Sequence, residues 1–164
     1  MGISLDKAQI NFEQDLDLIL EGILKGLFYL KTKNIIHRDI KPNNLLVTYV
    51  KRNNNDNSIR DNISREYAQR ILSGEQHLLE GEFIEPLVKI IDFGISKNKD
   101  SDGVKSSKII GTLPYMAPEQ IAEEEFGDNG EIDYRVDIWS FGLVAFELIT
   151  GSKLFTGIES QTDE

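Results

Sequence analysis

The stretch NIIHRDIKPNNLLV, residues 34–47, places histidine, arginine, aspartate, lysine and asparagine side chains between two apolar segments. Polar groups that enter a protein core are unfavourable unless hydrogen bonds, ion pairs or a ligand satisfy them. The stretch therefore needs a local structure that holds these groups in place. The sequence on either side indicates what that structure is.

An amphipathic helix is predicted directly before this stretch, at residues 15–33. Its apolar residues recur at helical spacing, so one face should be buried. They are Leu16, Ile19, Leu20, Ile23, Leu24, Leu27, Phe28 and Leu30. Asn11 followed by Gln14 resembles a capping box at the start of the helix, and Lys31 and Lys33 favour its C-terminal end.

Two short segments rich in β-branched residues, 45–50 and 87–91, are predicted to be paired strands. The segment between them, at about 51–86, is interpreted as an insertion. Its first third is rich in Asn and Asp, a composition typical of surface loops. Four apolar residues at intervals of four predict an amphipathic helix in the insertion: Ile59, Ile63, Tyr67 and Ile71. This helix would dock on the domain or on a partner protein, and the alternative is a partly helical insert without its own function.

Two later segments have contrasting compositions. Residues 96–108, SKNKDSDGVKSSK, contain almost no apolar side chains, so we predict a mobile loop. Residues 136–151, VDIWSFGLVAFELITG, are apolar nearly all round, which is typical of a helix that is buried on every side.

The composition argues against several classes of function. A chain of 164 residues with 40% hydrophobic content is expected to form one domain, and a net charge of −10 disfavours nucleic-acid binding. There is no cysteine, and two histidines are too few for a zinc centre. No apolar segment is long enough to cross a bilayer. We therefore expect a soluble, intracellular protein without a nucleic-acid or membrane partner.

Three motifs occur in order along the chain: HRDIKPNN at 37–44, DFG at 92–94 and APE at 117–119. In this order they resemble the signature set of the protein kinases. Lys41, two residues after the first aspartate, and GTLPYMAPE at 111–119 resemble the serine/threonine branch of that family. DIWSFG within the later apolar segment also resembles the start of the family's central helix.

The resemblance implies a role for each polar residue, because phosphoryl transfer depends mainly on positioning and on neutralising charge. Asp39 would accept or orient the proton of the substrate hydroxyl, and Lys41 would face the γ-phosphate of ATP. Asn44 and Asp92 would coordinate Mg²⁺, which prefers oxygen ligands. Thr112 should hydrogen-bond to Asp39 and Lys41. The polar stretch would then be the floor of a cleft, held rigid by its apolar flanks.

Other residues are implied to be structural. His37 and Phe93 would stack in a buried column anchored on Asp137, so we interpret His37 as structural rather than as a catalytic base. Leu46 would belong to the wall beneath the adenine ring. Glu119 closes the APE motif, and the residues after Phe155 contain no arginine that could pair with it.

Arg38 implies regulation, since such an arginine can pair with a phosphate on the activation loop. Ser101, Ser106 and Ser107 are candidate acceptors. Lys108 occupies the family's usual acceptor position, so unmodified surface serines remain the alternative.

A group of acidic residues follows the APE motif in a predicted loop. They would favour a protein substrate that is basic around its acceptor, or they simply form a solvated loop. They are Glu123, Glu124, Glu125, Asp128, Glu131 and Asp133.

The resemblance begins in the family's large lobe and covers most of residues 15–155. The chain shows neither a glycine-rich phosphate loop nor the small lobe's strand lysine, and we expect the last helices of the large lobe to be absent too. The predicted fold is α+β and mainly α-helical: the C-terminal lobe portion of a kinase-like fold, with small β-hairpins and the insertion. Residues 1–164 would be one partial kinase domain.

Two functions are compatible with these features. The first is a fragment of a serine/threonine kinase that uses ATP and Mg²⁺, inactive by itself without the small lobe. The second is a non-catalytic interaction module, either a pseudokinase or a truncated product. The intact set of Asp39, Lys41, Asn44 and Asp92 favours the first. In either case the apolar helix would lose part of its cover, so the isolated chain is expected to be marginally stable or to aggregate.

Overall fold

The computed structural model describes residues 3–7, 12–53, 59–63, 70, 73, 77, 82–94, 97–98, 111–121 and 132–157. The principal helices there are α1 (Phe12–Thr32), α2 (Pro118–Ile121) and α3 (Arg135–Thr150). The strands are β1 (Ile3–Ser4), β2 (Ile35–Ile36), β3 (Leu45–Asn53), β4 (Ile59–Ile63), β5 (Glu82–Ile90) and β6 (Lys97–Asn98). Short 3₁₀ turns lie at Leu5–Lys7, Pro42–Asn44 and Leu113–Tyr115.

Helix α1 confirms the predicted amphipathic helix. Its buried residues follow the helical spacing of the sequence, and each fully buried aliphatic side chain contributes about 1.5–3 kcal/mol to folding. They are Ile19, Ile23, Leu27 and Leu30. The helix ends just before Asn34, whose φ of 56° turns the chain into the polar stretch. Asn11 and the side chain of Gln14 lie outside the described residues, so the capping box stays a prediction.

Strand β3 is the centre of a four-stranded antiparallel sheet. Strand β5 pairs with it along its whole length, from Leu45 opposite Ile90 to Asn53 opposite Glu82. This confirms the predicted pairing of 45–50 with 87–91. Strands β1 and β4 pair with the other edge of β3.

The insertion starts and ends as a continuation of this sheet. Strands β3 and β5 both run into the region predicted as an insertion at about 51–86. The ammonium of Lys51 lies 3.2 Å from the carboxylate of Glu82, and Arg52 pairs with Glu85. These ion pairs join the two strands beyond the part that the sequence predicted.

The predicted insertion helix is wrong in its first half. Residues Ile59–Ile63 form strand β4, which pairs with residues Tyr49 to Arg52 of β3. The edge of β3 offers unpaired backbone groups, and two apolar residues four apart are compatible with a strand as well as a helix. Tyr67 and Ile71 lie outside the described residues.

Helix α1 packs closely on β5 through two glycines. A Cβ atom on Gly22 would lie 3.2 Å from the side chain of Val88, and one on Gly26 would lie 2.8 Å from that of Ile90. The two glycines are one helical turn apart, so both face the same strand. The absence of side chains there lets the helix approach strand β5, which leads into the DFG motif.

Helix α3 buries one face against α1 and the 3₁₀ turn Leu113–Tyr115. Its buried apolar residues are Val136, Leu143, Val144 and Leu148, and its exposed ones are Ile138, Trp139, Phe146 and Ile149. The predicted burial on every side is therefore wrong within the described part of the chain, because the described elements cover only one side of this helix.

Residues Lys97–Asn98 form strand β6, which pairs with β2, so this part of the predicted mobile loop is ordered by pairing. The remainder of 96–108 lies outside the described residues. The described residues contain both helices and a four-stranded sheet, in agreement with the α+β part of the predicted fold class. The predictions of a mainly α-helical fold and of a single lobe stay predictions. Across the described part of the chain, the helices are too short or too polar to span a membrane.

Candidate active site

The polar stretch is held from behind by a buried carboxylate. Asp137, near the start of α3, accepts the backbone N–H of His37 at Oδ2 and that of Arg38 at Oδ1, both at 2.8 Å. Burial raises the pKa of Asp137 above its ordinary value, although these hydrogen bonds and the nearby positive charge oppose the shift. Arg38 has a φ of 74°, a left-handed conformation that such a clamp stabilises.

His37 is fully buried and its ring is fixed on both nitrogens. The N–H of Asp39 donates to Nδ1 at 3.3 Å, so Nε2 carries the proton and donates to the carbonyl of Ile91 at 2.9 Å. Neither nitrogen faces a position where a substrate could exchange a proton. The geometry suits a structural histidine that joins the polar stretch to the DFG motif.

Phe93 meets His37 edge to face, with ring centroids 4.9 Å apart and an interplanar angle of 68°. The phenyl ring is 45% exposed, whereas we expected a buried, stacked ring. The expected column is therefore partly open to solvent at Phe93.

Three side chains form a closed hydrogen-bonded network at the centre of the site. The hydroxyl of Thr112 donates to Oδ1 of Asp39 at 2.7 Å, and Nζ of Lys41 donates to that hydroxyl at 2.7 Å. Lys41 also pairs with Oδ2 of Asp39 at 2.8 Å. Both hydrogen bonds expected of Thr112 are thus present.

The environment lowers the pKa of Asp39. Partial burial acts in the opposite direction, but the hydrogen bonds from Lys41, Thr112 and Asn44 and the charge of Lys41 outweigh it. The carboxylate is therefore ionised at neutral pH and acts as a hydrogen-bond acceptor.

Asn44 connects Asp39 to the DFG motif. Its Nδ2 donates at 2.9 Å to both the backbone carbonyl and Oδ2 of Asp39. The backbone carbonyl of Asn44 accepts a hydrogen bond from the backbone N–H of Ile91 at 2.9 Å. Asp92 follows Ile91 directly, with a φ of 63°. Its side chain is exposed, and its Oδ1 lies 3.4 Å from the N–H of Gly94.

The oxygen atoms of Asn44 and Asp92 suit Mg²⁺, which takes part of its coordination from phosphates and water, better than a metal ion that is coordinated by protein side chains alone. Among the described residues there is no group of three or more His, Cys, Asp or Glu that could hold a metal ion. Because Nδ2 of Asn44 faces Asp39, its Oδ1 is left as an oxygen donor, and Asp92 adds an exposed carboxylate. Mg²⁺ is commonly bound by one or two such oxygens together with substrate phosphates and water.

The remaining predicted site residues lie around this centre. Leu46 is half-buried in β3, opposite Ser4 of β1 and Lys89 of β5. The side chain of Arg38 is buried, and Glu119 is half-buried in the first turn of α2. Ser101, Ser106 and Ser107 lie outside the described residues, so their regulatory role stays a prediction.

Sequence reasoning missed several contacts beside the site. The hydroxyl of Tyr115 donates to Glu147 at 2.6 Å, and burial together with the Glu147 carboxylate raises the pKa of this tyrosine. Ser140 donates to the carbonyl of Tyr115 at 2.6 Å, and Asn43 donates to Asp6 at 2.7 Å. The residues of each pair are far apart in the chain and belong to no shared motif, so the sequence carried no signal for them.

Comparison with known proteins is consistent with this geometry. Residues 4–164 match the family model described as "Protein kinase domain". The chain is similar to the mitogen-activated protein kinase kinase SIPKK of Nicotiana tabacum, with 34% identity over 98% of this chain and 33% of that protein. It is 36% identical to mitogen-activated protein kinase kinase 9 of Arabidopsis thaliana, over 85% of this chain and 33% of the relative. Similarity to mitogen-activated protein kinase kinase kinase 12 of Rattus norvegicus is 33% identity over 85% of this chain and 11% of the relative. The chain therefore spans a third or less of the length of these relatives.

Proposed function

The chain belongs to the protein kinase family, and from that premise we propose that residues 1–164 are the C-terminal-lobe portion of a serine/threonine kinase domain. The complete domain would transfer the γ-phosphoryl group of ATP to a hydroxyl of a protein substrate. The observation that carries the proposal is the carboxylate of Asp39, which Lys41, Thr112 and Asn44 hold in one orientation.

Asp39 is the proposed acceptor of the hydroxyl proton. Its lowered pKa keeps the carboxylate ionised, and its three partners restrict the orientation of both oxygens. A fixed acceptor can orient the attacking hydroxyl towards phosphorus, which supplies most of the catalysis that this reaction needs from a side chain. Lys41, held by Thr112, places a positive charge where the transferred group becomes more negative.

Asn44 and Asp92 are the proposed magnesium ligands, and Leu46 is proposed to contact the adenine ring of ATP. When bound there, Mg²⁺ would neutralise charge on the phosphates of ATP. The contribution of the chain is to set the two oxygen donors on adjoining segments, since Ile91 and Asn44 are joined by a backbone hydrogen bond.

The proposed context follows from the family and the charge. Arg38 would bind a phosphate on the activation loop, with Ser106 or Ser107 as acceptor. A protein substrate that is basic around its acceptor complements the net charge of −10. We propose an intracellular location and a partner for the insertion.

Transfer of labelled phosphate from γ-labelled ATP to a basic protein, measured with the complete kinase domain, tests the proposal. The wild-type domain should transfer phosphate, and Asp92→Ala should lose both transfer and magnesium-dependent ATP binding. Asp17→Ala, which removes an exposed carboxylate from α1, is the matched control and should be active. A complete wild-type domain that binds ATP but transfers no phosphate would contradict the enzymatic function.

One observation favours a non-catalytic interaction module as the second candidate. A groove of about 310 Å³ lies between α1 and α3. Phe28 and Ile138, which line it, are substantially exposed, and exposed apolar surface of this kind often marks interaction sites. Phosphate transfer by the complete domain decides between the two candidates.

A further inference from the structure

The backbone of Arg38, the residue directly before Asp39, is held in a strained conformation. Arg38 has a φ of 74°, and a left-handed conformation is unfavourable for a residue with a side chain. Such a conformation persists only where the surroundings fix it. Asp137 fixes the N–H of Arg38 at 2.8 Å, and the structure shows what fixes its carbonyl.

Gln120 donates a hydrogen bond from Nε2 to the carbonyl of Arg38 at 3.1 Å. It lies in α2 and is buried. Its Oε1 accepts the N–H of Ala117 at 3.0 Å, which caps the start of that helix. A backbone N–H can only donate and a carbonyl can only accept, so the two partners fix the orientation of the amide.

The Arg38 carbonyl and the Asp39 N–H belong to one peptide group, and this group is also held on its N–H side. The N–H of Asp39 donates to Nδ1 of His37 at 3.3 Å. On the carbonyl side, a Cβ atom on Gly111 would lie only 3.0 Å from the oxygen of Arg38, so the close approach of these two segments requires glycine at 111. Rotation of this plane would move the Asp39 carboxylate away from Thr112.

We propose that Gln120 is a positioning residue for Asp39, and this rests on the proposed function. Gln120 clamps the carbonyl of the peptide that carries Asp39, while Thr112 binds its carboxylate. Residues 111–121 therefore hold the catalytic aspartate twice, at the backbone and at the side chain. A change in the conformation of this segment is transmitted to Asp39 through both contacts.

The dual role of Gln120 requires a side-chain amide. Glutamate has nearly the same shape and keeps the acceptor for Ala117, but an ionised carboxylate cannot donate and faces the Arg38 carbonyl unfavourably. Methionine keeps the length and loses both hydrogen bonds. Gln120→Glu therefore separates the clamp from the helix cap.

The test is steady-state kinetics of Gln120→Glu in the complete kinase domain. We expect kcat to fall by about tenfold to a hundredfold, as for other small displacements of a catalytic group, with the KM for ATP nearly unchanged. Burial raises the pKa of the new carboxyl, and the nearby charged side chains are those of Arg38, Glu119 and Asp137. A protonated carboxyl can donate to the Arg38 carbonyl, so the deficit should shrink as the pH falls. Gln120→Met should show a deficit that does not recover.

Amide deuterium uptake of the peptide covering 37–44 gives a second readout that does not depend on activity. Uptake should rise in Gln120→Glu and Gln120→Met and stay at the wild-type level in Ile121→Ala, which alters the exposed side of the same helix. Wild-type kcat and uptake in both Gln120 variants would overturn the inference. An equal loss of kcat in Ile121→Ala would also overturn it, and so would unfolding of both Gln120 variants while Ile121→Ala stays folded. Either result would indicate that Gln120 has only a packing role. If the wild-type domain transfers no phosphate, the proposed function fails, and deuterium uptake still decides whether the clamp exists.

Discussion

The hydroxyl of Thr112 donates a 2.7 Å hydrogen bond to the carboxylate of Asp39, a residue 73 positions earlier in the chain. This bond joins the segment that ends in the APE motif to the polar stretch that precedes β3. The same hydroxyl accepts a hydrogen bond from Lys41. One small side chain thus fixes the position of both a negative and a positive group.

Thr112→Val should remove both hydrogen bonds while keeping the shape of the side chain. The ion pair of Lys41 and Asp39 would remain, so we expect kcat of the complete domain to fall by about tenfold to a hundredfold, with the fold intact. Thr48→Val, the same change in β3 away from this network, is the control and should leave kcat unchanged. Equal kcat values for Thr112→Val and wild type would show that the Thr112 bonds do not contribute to catalysis.

Lys41→Met should raise the pKa of Asp39, which lies below its ordinary value of 3.8. The shift depends on Lys41 through both a hydrogen bond and its charge, while burial acts in the opposite direction. Carbon-13 shifts of the Asp39 carboxyl across an acid titration measure this change. Lys51→Met, which removes the partner of Glu82 instead, should leave the titration of Asp39 unaltered.

The same shift predicts how stability depends on pH. Since the folded state lowers the pKa of Asp39, its ionised form stabilises the fold above the unfolded value and loses this effect as the pH falls through the folded pKa. Chemical denaturation should therefore show that Lys41→Met reduces the free energy of unfolding more at neutral pH than in acid below 3.8. A difference independent of pH would indicate that Lys41 acts only through packing.

Gly26→Ala and Gly142→Ala should have opposite effects on stability. In a helix, alanine is favoured over glycine by about 1 kcal/mol, and nothing lies within 4 Å of a Cβ atom added at Gly142. Gly142→Ala should therefore raise the melting temperature. At Gly26 the new Cβ would lie 2.8 Å from Ile90, and overpacking of this kind is unfavourable by about 1–3 kcal/mol. An equal increase in melting temperature for Gly26→Ala and Gly142→Ala would show that α1 and β5 are not closely packed at Gly26.

The exposed apolar side chains of α1 and α3 should make the isolated chain associate. Phe28 is 66% exposed and Ile149 is 64% exposed, and such surface promotes association. Light scattering of the purified chain should show self-association, which Ile149→Lys reduces. A sharp, reversible melt of the wild-type chain as a monomer would contradict this.

Local pattern was sufficient to predict part of the fold. The spacing of Ile19, Ile23 and Leu27 defined α1, because burial of one helical face leaves a regular trace in the sequence. The β-branched segments defined the pair β3 and β5. The helix predicted from Ile59 and Ile63 was wrong, because these residues pair with the edge of β3. The local sequence does not show that this edge is available for pairing.

The sequence motifs identified residues that lie together in the candidate site. Asp39, Lys41 and Thr112 were expected to interact and do so. The bonds of Gln120 to Arg38 and of Tyr115 to Glu147 could not be predicted, because each joins segments whose relative position is set by the packing of α2 and α3. The exposure of Phe93 was also missed, since a motif specifies the ring and not what covers it.

The most direct test of the account is the effect of Asp39→Asn on the kinetics of the complete kinase domain. An amide cannot accept the hydroxyl proton, so kcat should fall by about 10²- to 10⁴-fold while the affinity for ATP changes little. Asp17→Asn, the same substitution at an exposed position of α1, should leave both quantities unchanged. Equal kcat values for Asp39→Asn and the wild-type domain would contradict the central claim that Asp39 directs the attacking hydroxyl.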